Sequence, residues 1–153
     1  MEWMFMPYRR YFDFNGRSCR KEYWMYVLLL LIIYAVLGGA IAAQVPLSQM
    51  MDGTPLANIR DFKPGFGLFV PSVLLGGIML GSLIPGLAVT VRRFHDQNMS
   101  GWILVVFLVI KMIPYVGWLG TIANLVLMAR RGTAGANRYG ADPLDTAVAS
   151  VFE

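Results

Sequence analysis

A chain of 153 residues with 57% hydrophobic and 14% charged residues is no ordinary soluble domain, and apolar spans of about 20 residues each consume most of it. The formal charge of +4 does not signal nucleic acid, because the bases stand at the edges of apolar blocks and form no continuous patch. The single cysteine, Cys19, excludes an internal disulfide and a cysteine-based metal cluster.

Residues 1–22 interleave Trp3, Phe5, Tyr8, Tyr11, Phe12 and Phe14 with Arg9, Arg10, Arg17, Arg20 and Lys21, a mixture that favours the headgroup layer and predicts an interfacial segment. Phe14-Asn15-Gly16-Arg17 is a turn signal, and Ser18 with Glu22 resembles a helix-capping pair. Residues 23–43 carry no charge, and 21 residues make a helix of about 31 Å, enough for a first transmembrane helix. Residues 44–65, broken by Pro46, Pro55 and Pro64, predict an outer loop. Residues 66–91 are again uncharged, and 26 residues make about 39 Å, so this second span must tilt or kink, with Pro71 and Pro85 as the places to bend. Gly77 and Gly81 form a small-xxx-small pair suited to close helix packing in lipid.

Residues 92–101 form a polar island that holds the only histidine, His95, and predict a cytoplasmic loop. The next block, 102–128, is interrupted by Lys111 and by Ile113-Pro114-Tyr115-Val116-Gly117, which predicts a broken helix or helical hairpin. The alternative is one long third span, with Lys111 inside the membrane at a cost of about 2.5 to 3.5 kcal/mol if central. Charge favours the hairpin. Five Lys or Arg precede the first span, two lie in 44–65, two in 92–101, and three in the Gly-rich tail 129–153. The positive-inside rule then puts the N-terminus, the polar loop and the tail together in the cytoplasm. The expected fold is a single all-α membrane domain, with two full transmembrane helices plus a Pro/Gly-broken hairpin, or else three transmembrane helices.

Three ordered motifs carry a resemblance. Phe14-Asn15-Gly16-Arg17 with Arg20 and Glu22-Tyr23-Trp24 is followed by Arg92-Arg93-Phe94-His95-Asp96 with Ser100-Gly101-Trp102, and then by Gly132-Thr133, Asn137-Arg138-Tyr139-Gly140 and Asp142-Pro143. Together they resemble the YhaH-like family of small bacterial inner-membrane proteins, domain of unknown function 805. The resemblance runs from Tyr11 to Pro143 and implies a multi-pass inner-membrane location, but no reaction, cofactor or partner. The family pattern often has proline where this tail has Ala134, Ala136 and Ala141.

The residue types restrict the chemistry. His95 and Asp96 are neighbours whose side chains diverge, so they make a poor base-orienter pair. One histidine and one cysteine without HExxH or paired-cysteine spacing point to no metal, and the glycines of the tail lack a phosphate-loop arrangement. The residues that remain are a candidate structural or anion-binding cluster: Arg17, Arg92, Arg93, His95, Asp96, Asn137, Arg138 and Asp142. The leading expectation is a non-enzymatic scaffold or interaction protein in the lipid bilayer, meeting other membrane proteins or a second copy of itself. A second reading has Arg92, Arg93 and Arg138 hold an anionic lipid headgroup or solute. A third makes His95 the general base of a membrane-embedded enzyme. A cluster paired internally favours the first, and arginines lining an open pocket favour the second.

Overall fold

The computed structural model describes residues 2–44 and 65–145, and all of its regular structure is helical apart from an isolated bridge between Asn137 and Gly140. The helices are α1 (Glu2–Arg9), α2 (Arg20–Ala42), α3 (Phe66–Asp96), α4 (Ile103–Met112) and α5 (Gly117–Ala129). The chain divides into two compact units, Met1–Leu28 with Leu83–Glu153, and Leu29–Ser82. Of the expected outer loop, only Gln44 and Gly65 lie within the described residues.

Both long helices have the length and apolar composition of a membrane span, at 23 residues for α2 and 31 for α3. Leu31, Val36, Leu74 and Leu80 of the Leu29–Ser82 unit are exposed on them, which suits lipid as the surrounding medium. The Ser72 hydroxyl satisfies itself by donating to the Leu68 carbonyl one turn back, at 2.8 Å. At the other end of this unit, Gly67 lies against the Gln44 side chain, 3.3 Å from where a Cβ would stand.

The first unit is built the other way round, with its polar groups inside. Arg17, Ser18, Glu22, Arg92, Arg93 and Asp96 are buried together with Cys19, Tyr23, Tyr26, Ala88, Val89, Phe94 and Met128. Helix α3 runs on through Asp96, so Arg92, Arg93, His95 and Asp96 are helical and do not belong to a loop beginning at residue 92. The reason is local. No helix breaker stands between Gly86 and Asn98, and the Arg93 cation in the last turn complements the negative end of the helix dipole. The stop comes at Asn98, whose φ of 58° is left-handed. There the Met99 N–H donates to Phe94 O and the Asn98 N–H to His95 O, both at 2.9 Å, the paired bonds of a Schellman ending.

Between α4 and α5 the chain turns because Ile113 precedes Pro114 and is extended, with ψ 118°, after which Tyr115 is left-handed with φ 64°. Small residues then let the two helices close on one another: a Cβ on Gly120 would stand 2.6 Å from Ile110 Cγ2, and one on Gly117 2.7 Å from Lys111 O. Both ends of this segment return to the end of α3. Phe107 stacks on Phe94 with ring centres 6.1 Å apart, and Gln97 Nε2 donates to Leu127 O at 2.7 Å.

Candidate functional site

Arg92 and Arg93 are consecutive on a helix, so their side chains leave in directions about 100° apart and meet different parts of the chain. Both are wholly buried. Arg92 reaches the N-terminal region. Its Nη2 donates to Glu22 Oε1 at 3.0 Å, and its Nη1 to Asp13 O at 2.6 Å and Arg10 O at 3.3 Å. Those carbonyls are presented by a local turn: Asn15 N–H donates to Asp13 Oδ1 at 3.0 Å, Arg10 pairs with Asp13 Oδ2 at 2.7 Å, and Gly16 takes a left-handed φ of 76°. Partial burial works against the Asp13 charge, but the Arg10 hydrogen bond and the Asn15 N–H outweigh it and hold the carboxyl below its ordinary value. Glu22 is completed by Ser18, whose hydroxyl donates to Oε2 at 2.8 Å, and the Ser18 N–H donates to Arg92 O at 3.2 Å. Ser18 thus bonds a carboxylate, where a capping serine would bond the backbone of the first turn. Among the described residues Arg92 Nε has no hydrogen-bond partner.

Arg93 reaches the C-terminal region. Its Nε donates to Met128 O at 3.1 Å, its Nη2 to Arg130 O, and its Nη1 to Asp96 Oδ2 one turn along. The other oxygen of Asp96 is held by Arg17, with Nε at 3.0 Å and Nη2 at 2.9 Å. One buried carboxylate therefore lies between two buried guanidiniums. The remaining N–H groups of Arg17 donate into the tail, Nη1 to Gly135 O at 2.5 Å and Nη2 to Thr133 O at 2.6 Å. Gly132 is the closest approach of the tail, since a Cβ there would stand 2.0 Å from Asp96 Oδ2. Thr133 completes the seam by donating to Asp96 O from its N–H at 2.8 Å and its hydroxyl at 3.0 Å.

His95, Asn137 and Arg138 form a layer beside this node. His95 Nδ1 lies 3.2 Å from Gly16 O, and its ring stacks on Tyr139 with centres 3.9 Å apart and planes within 5°. The Arg138 guanidinium lies 4.7 Å from the Tyr139 ring centre and donates to Asn98 O at 3.0 Å. Asn137 Nδ2 donates to His95 O at 2.9 Å and to Thr133 Oγ1 at 2.8 Å. Asp142 accepts from Leu144 N–H at 3.0 Å and Gly135 N–H at 3.1 Å, and stands 4.0 Å from Arg17. The Leu144 hydrogen bond above all, aided by Gly135 and Arg17 against slight burial, lowers the Asp142 carboxyl from its ordinary value.

Of the eight candidate residues, Arg17, Arg93, Asp96 and Asp142 share one node. His95, Asn137 and Arg138 surround it, and Arg92 belongs to a separate node with Glu22. Glu22, Ser18, Gly132, Thr133 and Tyr139 are the members that reasoning from sequence left out. Glu22 carried a signal, an acid in the first turn of a membrane-length helix, where an ionised group needs a partner.

Residues 11–141 match the family described as "Protein of unknown function (DUF805)". The chain is 33% identical over 144 residues to "Inner membrane protein YhaI" of Escherichia coli strain K12, covering 94% of this chain and 96% of that protein. It is 36% identical over 143 residues to "Inner membrane protein YhaH" of the same strain, covering 94% and 97%. No solved structure matches it.

Proposed function

The chain belongs to the DUF805 family of inner membrane proteins, and from that premise we propose that it is a non-enzymatic, multi-pass scaffold whose polar cluster is an internal tie. The observation that carries this reading is the Asp96 carboxylate between Arg17 and Arg93, with further N–H groups of both guanidiniums bonded to tail and α5 carbonyls. Charges matched by the protein's own acceptors leave little for a substrate or a soluble anion. His95 is occupied in the same way, by the Gly16 carbonyl on one edge and the Tyr139 ring on its face, so it packs the layer together. The tie joins the turn before α2, the end of α3 and the tail into one body. The apolar helix faces remain for lipid and for other membrane proteins or a second copy.

The topology that goes with this role is an even number of crossings. Helices α4 and α5, of 10 and 13 residues, are about 15 and 20 Å long, each short of a hydrocarbon core of about 30 Å. Because both ends of the segment meet the end of α3, it enters and leaves the membrane on one side. The positive-inside rule makes that side cytoplasmic, together with the N-terminus and tail. In a Cys19→Ser background, a cysteine at the exposed position Ala134 should resist an impermeant thiol reagent added to intact cells. A cysteine at Asn58, outside the described residues, should react. Labelling at Ala134 from outside would overturn the hairpin and restore one long third span.

A further inference from the structure

The side chains of Arg20, Lys21, Arg130 and Arg131 take no part in the buried ties. Arg20 and Lys21 are the first two residues of α2, and Arg130 and Arg131 follow directly on the last residue of α5. All four are exposed, and among the described residues none is ion-paired with a carboxylate. The fold nevertheless sets the two pairs side by side. Arg20 Nη1 donates to Ala129 O at 3.4 Å, the residue just before Arg130. The Arg130 carbonyl is in turn held by the buried Arg93, so the backbone that carries Arg130 is anchored. Lys21 is steadied by Trp3, its Nζ lying 5.5 Å from the ring centre.

Like charges gathered without a counter-charge repel one another, and an anion seated among them removes that cost. The height of the patch selects which anion. Each pair stands at the end of an apolar helix, the level at which headgroups meet water, and the first N–H groups of α2 add the positive end of its dipole. Trp24 and Leu28 follow Arg20 at the i+4 and i+8 positions of one α2 face, and both are exposed, which gives an acyl chain an apolar bed below the charge. We propose that Arg20, Lys21, Arg130 and Arg131 form a docking site for the headgroup phosphate of an anionic phospholipid, distinct from the buried arginine cluster. This rests on the chain being a membrane protein and is independent of the role assigned to Asp96.

The test is native mass spectrometry of the full-length protein, stripped of lipid in neutral detergent and titrated with phosphatidylglycerol, phosphatidylcholine or inorganic phosphate. Phosphatidylglycerol should be retained over phosphatidylcholine. Among the described residues Lys21 and Arg131 hold no protein carbonyl, so Lys21→Gln/Arg131→Gln should weaken phosphatidylglycerol retention about 25-fold, at about fivefold per charge, while Arg131→Gln alone leaves the lipid-free melting temperature unmoved and Lys21→Gln lowers it only by the loss of the exposed Trp3 contact. Either single variant should show the fivefold step, and the charge-preserving Lys21→Arg/Arg131→Lys should show none. Equal retention by variant and parent, or of the two lipids, would overturn the site. Competition by inorganic phosphate as effective as by lipid would replace it with a site for free anions.

Discussion

Replacing Asp96 by alanine tests the internal tie most directly, because it deletes the carboxylate while leaving the Asp96 carbonyl to accept from Thr133. Only the charge bridge is lost. The side chain is about 6% exposed, and those of Arg17 and Arg93 are 2% and 0%, so the pair is buried on both sides. Removing one partner of a buried pair typically costs about 3 to 5 kcal/mol. Arg17 keeps Thr133 O and Gly135 O, and Arg93 keeps Met128 O and Arg130 O, which places the expectation at the lower end, about 3 kcal/mol. For a chain of this size that is a fall of about 6 to 12 °C in melting temperature, read by tryptophan fluorescence in detergent. Gly132→Ala supplies an internal control. Its Cβ would collide with Asp96 Oδ2 at 2.0 Å and drive the carboxylate off Arg93, but in the Asp96→Ala background that obstacle is gone. The two substitutions together should therefore cost about 1 to 3 kcal/mol less than the sum of the singles. An unchanged melting temperature in Asp96→Ala, or strict additivity with Gly132→Ala, would refute the tie and leave the arginines as topology signals alone.

Two further outcomes follow from the layer around the node. Tyr139→Ala removes both the His95 ring face and the platform under Arg138, interactions worth about 0.5 to 1.5 kcal/mol for such a ring pair, and should speed tryptic cleavage after Arg138 about tenfold. An unaltered cleavage rate would mean that the stack does not hold the tail. The lowered Asp142 carboxyl makes its tail contacts pH-dependent in a defined direction: a group depressed on folding contributes stability that is complete above its ordinary value of 3.8 and is lost as pH falls through the lower folded value. Hydrogen exchange at the Gly135 and Leu144 amides should show protection that is flat above 3.8 and falls below it, and Asp142→Asn should abolish that dependence.

Much of this protein follows from its sequence alone, because a membrane imposes one-dimensional rules. A run of uncharged residues long enough to cross the hydrocarbon must be helical to satisfy its backbone, so α2 and α3 are legible from composition and length. The break at Pro114 is legible for the same kind of local reason, since a proline lacks an N–H and restricts the residue before it. The polar residues that matter are also conspicuous, as charges in a chain this apolar are few. Pairing is what tertiary structure alone decides. Arg92 and Arg93 are adjacent and chemically identical in sequence, yet the helix sends one to Glu22 and the N-terminal turn and the other to Asp96 and the tail. Nothing in the string distinguishes buried Arg17 from exposed Arg20, three residues away, because burial depends on where α2 begins and on which segments fold over it. Gly132 reads as one more flexible tail residue until Asp96 is found filling the space where its side chain would be. Such hydrogen bonds join residues separated by as many as 123 positions, and a bond across that separation has no local periodicity to announce it.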